Sequence, residues 1–237
     1  MIKRIVAGLL MAGLVSGVAQ TSESGFVPLF NGKDLSGWDG NPSLWKVEQG
    51  AIVGRTTAEA PIKANTFLIC TNVNAANFEL RCSFKLEANN DKTFANSGIQ
   101  YRSAVLDPAG WRVGGYQADM EAGPNYTGIL YEEGMTRGIM AMRGEKVTWT
   151  DACKKEVTGE TTKPVEIEAG IRKNAWNEYR IVARGNHLQH FVNGKLTVDV
   201  TDNCVEKRAT NGVFALQLHA GEPMTASFKN IQLKKLP

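Results

Sequence analysis

The chain of 237 residues is short of net charge, of long apolar runs and of the motifs that announce a cofactor. Its 27 lysines and arginines face 24 aspartates and glutamates, and setting aside Lys3 and Arg4 leaves 25 basic residues against 24 acidic ones. So even a balance provides no electrostatic footprint for nucleic acid. Beyond the start of the chain nothing is long and apolar enough to cross a bilayer, and no membrane span is expected. A Gly-x-Gly-x-x-Gly fingerprint is absent, so nothing in the sequence marks a dinucleotide site. So is a close Cys-x-x-Cys pair, which argues against structural zinc. No cofactor is expected from these absences, and a structural calcium in a loop stays open. No segment holds a helical period over several turns, and no internal repeat is visible.

What is present begins with Met1-Ile-Lys-Arg4 and an apolar run from Ile5 to about Ala19, followed by polar residues. A basic start, a short apolar centre and small residues before Gln20 read as a cleavable export signal over residues 1–19. The remainder, residues 20–237, suits one domain of an exported protein, periplasmic or extracellular. Four cysteines in such a chain allow two disulfides in three pairings. The expected pairs are Cys70 with Cys82 and Cys153 with Cys204. Cys82 also alternates with Phe78, Leu80 and Phe84, which suits a small core residue equally well.

Glycine-rich composition and short alternating runs point to an all-β fold, an antiparallel β-sandwich of jelly-roll type. Gln49-Gly50 and Asn193-Gly194 mark tight hairpin turns. In Gly212–His219, Phe214, Leu216 and Leu218 share one strand face while Val213, Ala215, Gln217 and His219 share the other. Asn96–Arg102 sets Ile99 and Tyr101 against Gly98, Gln100 and Arg102. Tyr116–Glu121 sets Tyr116, Ala118 and Met120 against Gln117, Asp119 and Glu121. In one sheet, these strands gather Gln100, Arg102, Gln117, Asp119, Glu121, Gln217 and His219 on one surface. The plainer reading is a sheet face open to water.

Other stretches say less. Asp151–Lys173 is charged, carries Gly159 and Pro164, and reads as a surface loop or insertion. His187 and His190 fall on opposite strand faces, and His190, among Leu188 and Val192, reads as a core histidine. Asn125-Tyr-Thr127 matches a glycosylation acceptor pattern. Gln117-x-Asp119-x-Glu121 is similar to the Glu-x-Asp-x-Glu strand of retaining glucanases, with an amide in place of one of the needed carboxylates.

Leu29–Trp38, Asn96–Arg102, Gly115–Asp119, Trp176-Asn177, Asn193-Gly194 and Leu216–Gly221 resemble, in this order and spacing, the motifs of the 3-keto-disaccharide hydrolase family. The resemblance covers about Phe26 to Leu233. It implies a concanavalin-like jelly roll and action on glycosides whose sugar already carries a ketone at carbon 3. Many members have a Glu-x-Gln pair where this chain has Gln117 and Asp119, so the chain resembles a branch with Gln-Ala-Asp there.

Such a substrate dictates chemistry. The ketone acidifies the carbon 2 hydrogen, a base removes it, the enolate expels the anomeric substituent, and water adds back. One base near neutral pKa, a partner for the enolate oxygen and a donor for the leaving group are required. His219 is the expected base and Arg102 the expected enolate partner. Asp119 either orients the histidine or takes the proton itself. Tyr131 or Glu132 would protonate the departing oxygen, with Gln100, Gln117 and Gln217 binding the carbohydrate. The ketone would come from a separate sugar 3-oxidoreductase. The alternative is a carbohydrate-binding module on the same fold, with Trp38, Trp111 or Trp176 as stacking platforms.

Overall fold

Alternating burial along the strands builds two sheets around one shared core. The structure is a computed structural model that describes residues 25–237; the expected export signal lies outside the described residues. In chain order the strands begin with β1 (Val27–Pro28), β2 (Trp38–Asp39), β3 (Trp45–Glu48), β4 (Ala51–Arg55), β5 (Thr66–Asn74) and β6 (Phe78–Ala88). There follow β7 (Asn96–Asp107), β8 (Arg112–Glu121), β9 (Leu130–Glu133), β10 (Gly138–Ala141), β11 (Glu145–Trp149) and β12 (Lys155–Glu160). After the helix α1 (Pro164–Gly170) come β13 (Asn177–Arg184), β14 (His187–Val192), β15 (Lys195–Asp202), β16 (Val213–Leu218) and β17 (Met224–Lys235).

The smaller sheet has the order β10-β9-β8-β7-β16-β5-β2, and the larger runs β12-β11-β15-β14-β13-β6-β17-β4-β3 with β1 paired to β17. Pairing is antiparallel except between β11 and β15. Both turn signals form hairpins: Gln49-Gly50 joins β3 to β4 and Asn193-Gly194 joins β14 to β15, all four residues with positive φ. That is the left-handed conformation a two-residue turn needs to match the strand twist.

Ile99, Tyr101, Tyr116, Ala118, Met120, Phe214, Leu216 and Leu218 all enter the core between the sheets, as their alternation predicts. Phe78 of the larger sheet meets Tyr101 and Phe214 of the smaller one edge-on, at centroid distances of 5.8 and 4.8 Å. Each such buried side chain contributes on the order of 1.5–3 kcal/mol. The opposite parity of β7, β8 and β16 is thereby turned outward, away from the core.

Two local expectations are corrected. Asp151–Lys173 contains β12 and α1 in place of a loop. β12 is an edge strand with no buried residue, and α1 buries only Ile167, so neither shows the apolar period that identifies an element from sequence. Cys153 and Cys204 are bonded, as expected, but Cys70 and Cys82 are free and buried. Cys70 lies on β5 of the smaller sheet and Cys82 on β6 of the larger, so the two strands are not partners across a turn. Burial pushes both thiols up, and each serves as a small core side chain.

Candidate active site

Register brings the outward polar residues together. Gly98 pairs with Asp119 and Gln100 with Gln117 across β7 and β8, while Ala215 of β16 pairs with Gln100 on the other side. Gly98 is required by its neighbour: a Cβ there would stand 2.5 Å from the Cγ and Cδ of Gln117, whose side chain lies across it. From this row a directed hydrogen-bond chain runs toward Asp119. Ser103 Oγ donates to Gln100 Oε1 at 2.7 Å, Gln100 Nε2 to Gln117 Oε1 at 2.6 Å, and Gln117 Nε2 to Asp119 Oδ1 at 3.2 Å.

Asp119 is only 5% exposed. Burial holds its carboxyl well above the usual carboxylate range, and the charge of Glu121 pushes the same way. The Met120 backbone and the Asn96 and Gln117 amides oppose the rise without cancelling it. The consequence is a carboxylic acid that keeps its proton where an exposed aspartate would lose it.

His219 follows β16. Its Nδ1 lies 2.6 Å from the Ala220 carbonyl oxygen, and its ring meets Phe94 edge-on at 5.7 Å. A carbonyl can only accept, so Nδ1 carries the hydrogen and the neutral ring keeps its lone pair on Nε2. The next peptide continues the linkage. Ala220 N donates to Asn65 Oδ1 at 3.0 Å, and Asn65 Nδ2 donates to Glu133 Oε1 at 3.1 Å. Gln217 Nε2 donates to the other oxygen of Glu133 at 3.2 Å, while its own Oε1 has no partner.

His219, Asp119, Gln117 and Tyr131 line one cavity of ≈ 230 Å³, together with Asn65, Asn96 and Glu133. Tyr126, Ile129 and Ile139 complete its wall. Burial, and then the charge of Glu133 with a smaller push from Glu132, raise the Tyr131 phenol, which stays protonated near neutral pH. Gln100 and Gln217 sit fully buried behind the lining, bonded to Gln117 and Glu133. Beneath Asp119 a second layer fixes the backbone. Tyr179 Oη donates to the Asp119 carbonyl at 3.3 Å, and His190 Nδ1 donates to the Ile129 carbonyl at 3.2 Å, the same oxygen that accepts Asp119 N–H.

Arg102 and Glu132 are placed elsewhere. Arg102 has φ of 49° and lies in an irregularity where the β7–β8 register shifts between Tyr101 and Ala104. A bulge of this kind breaks the face parity that the sequence count assumes. The guanidinium points away from the cavity and donates to the carbonyls of Ala76, Gly185 and Ala209, tying together three loops. Glu132 faces the core and binds Arg137 at 2.6 Å, and Arg137 also binds Asp202 of the larger sheet at 2.8 Å. Tyr116 Oη donates to the same Asp202 oxygen at 2.6 Å. Glu133 takes the cavity position, as strand parity with Tyr131 requires. Glu121 does not line the cavity; its Oε1 accepts the backbone N–H groups of Asn125 and Tyr126.

Asn65, Asn96 and Glu133 are the polar lining residues that sequence reasoning missed. For Glu133 the signal was available in its two-residue spacing from Tyr131, whereas Asn65 precedes its strand and carries no periodic signal. The proposed tryptophan platforms do not line this cavity. Trp38 donates to the Leu29 carbonyl, Trp111 to Asp39, and Trp176 lies under Lys229 Nζ at 4.2 Å. Among the described residues no group of three or more His, Cys, Asp or Glu side chains could hold a metal ion, and no helix is long and apolar enough to cross a membrane.

A family model described as the 3-keto-alpha-glucoside-1,2-lyase-like domain matches residues 25–234. The chain belongs to that family. Membership makes it a glycan-acting protein on a sandwich fold. No functionally curated protein matches it significantly. Among solved structures, a Parabacteroides distasonis protein provisionally named a glycosyl hydrolase is similar at 23% identity and a TM-score of 0.57, covering 90% of this chain and 95% of its own. A second such protein from the same organism has 18% identity, a TM-score of 0.56 and coverage of 89% and 99%. The carbohydrate-binding module CBM66 of Bacillus subtilis has 16% identity, a TM-score of 0.55 and coverage of 84% and 96%. At these identities the likeness is one of fold.

Proposed function

We propose that this cavity receives the 3-keto sugar of a glycoside and cleaves it by elimination across carbons 1 and 2, followed by hydration. The observation that carries the reading is the pairing, in one cavity, of an imidazole with a free Nε2 lone pair and a buried carboxyl that keeps its proton. His219 Nε2 takes the carbon 2 proton, and the C–H electrons pass to the carbon 3 oxygen as an enolate. Asp119, as a neutral acid, donates to that oxygen, the role a protonated carboxyl fills in other enolising sites. The enolate collapses to a carbon 1–carbon 2 double bond and expels the anomeric oxygen, which the protonated Tyr131 supplies with its hydrogen. Water then adds at carbon 1 and gives its proton to the Tyr131 phenolate, while the proton held by His219 returns to carbon 2, so both residues are restored and the sum is hydrolysis.

Arg102 and Glu132 have no part in this scheme, being occupied by structural partners. The ketone is made upstream by a separate sugar 3-oxidoreductase, since the chain lacks a dinucleotide fingerprint. Export through residues 1–19 belongs to the same proposal, and a Cys153–Cys204 disulfide fits an oxidising compartment. The test is turnover of matched glycosides with and without the 3-keto group. Release of the aglycone from the oxidised member alone supports the route. Comparable release from both indicates an ordinary glycosidase, because without the ketone carbon 2 is too weak an acid for an imidazole.

A further inference from the structure

Strand order divides the cavity lining. Asn65 and His219 adjoin β5 and β16, with Glu133 bonded to Asn65, whereas Ile139 stands on β10 at the other end of the same sheet and Tyr126 and Ile129 lie in the segment that leads into β9. The apolar side also spans the depth of the site: Ile129 is 1% exposed at the bottom, and Tyr126 and Ile139 are each left 38% exposed at the mouth. Tyr126 is held in that exposed position. The Glu121 carboxylate accepts the N–H groups of Asn125 and Tyr126 at 2.5 and 2.7 Å, and Thr127 Oγ1 exchanges bonds with the Glu121 backbone, both at 2.9 Å. Ile129 N–H closes the turn on the Tyr126 carbonyl at 3.1 Å. Ile139 stands on the edge strand β10 directly across from Tyr131, at a position where edges usually carry charge.

We infer that this apolar side is an aglycone subsite, and that it takes a flat apolar, aromatic group in preference to a second sugar. The inference rests on the keto-glycoside reading above. A keto sugar laid against Ile129 and Ile139 would leave hydroxyls without partners, each carrying the desolvation penalty of an unsatisfied buried group. The ring therefore belongs on the side with amides, carboxylate and imidazole. A sugar aglycone meets the same objection at the mouth, where only tyrosine hydroxyls interrupt the apolar surface. An aromatic ring there gains contact with Tyr126 and removes Ile139 from water.

The experiment compares methyl and 2-phenylethyl 3-keto-glucosides, in both anomers, with a 3-keto disaccharide. The two simple alcohols leave with closely similar intrinsic ease, so their difference reads the subsite. Affinity is taken as KM where a compound is turned over and as calorimetric Kd where it is not. The phenylethyl compound is expected to bind about tenfold or more tightly than the methyl compound, the scale of partial ring burial. Tyr126→Ala and Ile139→Asn should each bring that ratio toward one. Equal affinities, a disaccharide that binds more tightly than the phenylethyl glycoside, or variants that leave the ratio intact would overturn the subsite. Tight phenylethyl binding without turnover of any compound would keep the subsite and remove the catalytic reading, so the two failures are separable.

Discussion

The two faces of the smaller sheet carry similar polar side chains and use them differently. Toward the core, Glu132, Arg137, Asp202 and Tyr116 consume one another's hydrogen-bonding capacity, and Arg102 at the β7 irregularity spends its donors on backbone carbonyls. Toward the cavity, His219 Nε2 has no hydrogen-bond partner among the described residues, and burial favours the protonated form of the Asp119 carboxyl. Burial alone does not separate the faces, because Asp119 and Gln117 are nearly as inaccessible as Glu132. What separates them is unspent bonding capacity. A buried ion pair stabilises only when satisfied, whereas a reacting group has to hold something back for its substrate.

The largest contrast is expected from two of the groups first assigned to catalysis, His219 and Arg102. His219→Ala should lower turnover of a 3-keto glycoside about a hundred- to ten-thousandfold and leave thermal stability close to that of the parent. Arg102→Ala should do the reverse, lowering stability through three loops that lose their shared donor while the folded fraction stays active. Turnover per folded molecule, with the folded fraction read by circular dichroism, checks both. An active, normally stable His219→Ala protein would place the base elsewhere.

Next in size is the core network. Arg137→Leu strands the Glu132 and Asp202 carboxylates, each almost fully buried, and the loss of one partner from such a pair costs about 3–5 kcal/mol. Urea unfolding should show it as a lower midpoint. A shift within about 0.5 kcal/mol, the range of ordinary surface substitutions, would show that the network is not closed in solution.

Much of this division was legible in the sequence. Phe214, Leu216 and Leu218 alternate with Gln217 and His219 without interruption, so simple parity sorted the core from the cavity. Parity failed at Arg102 because a bulge, which adds a residue without any compositional mark, turned the side chain away. It failed at Glu132 for a different reason. Two adjacent carboxylates on one strand must face opposite ways, and the choice between Glu132 and Glu133 depended on Tyr131 beside them. Asn65 was beyond reach, since its role arises from a contact with residues 68 and 155 positions away.

A smaller effect, spread over pH, belongs to His190, which lies beneath the site. His190 is fully buried, bonded to Tyr101 and the Ile129 carbonyl, and burial lowers its pKa to about 3. The folded state therefore binds fewer protons than the unfolded chain between the unfolded value near 6.5 and about 3. Its contribution is fully present above that window and declines as pH falls through it, by up to about 1.4 kcal/mol per pH unit. Unfolding free energies measured from pH 7 to 4 should fall accordingly, and less steeply in His190→Gln. An unchanged slope in the variant would mean that another group governs acid unfolding.

The finest discrimination concerns the protonation of Asp119. Because burial raises its folded pKa above the unfolded value of about 3.9, the folded state holds the proton more tightly, and the sign is opposite to that of His190. Stability from this group is fully present below the unfolded value and is lost as pH rises toward the folded one. Asp119→Asn removes the titration, so the variant should gain stability relative to the parent as pH increases above about 4. Its catalytic consequence follows from the same proton. An asparagine still offers a neutral N–H donor to an enolate oxygen, so turnover should survive better in Asp119→Asn than in Asp119→Ala, where a lost oxyanion donor costs about 10²–10³-fold. The alkaline decline of the parent, caused by ionisation of Asp119, should be missing from the Asn variant. If Asn and Ala variants are equally inactive and the alkaline limb persists in whatever activity remains, Asp119 acts as a carboxylate, and the satisfied and unsatisfied faces of the sheet differ by less than their hydrogen bonds suggest.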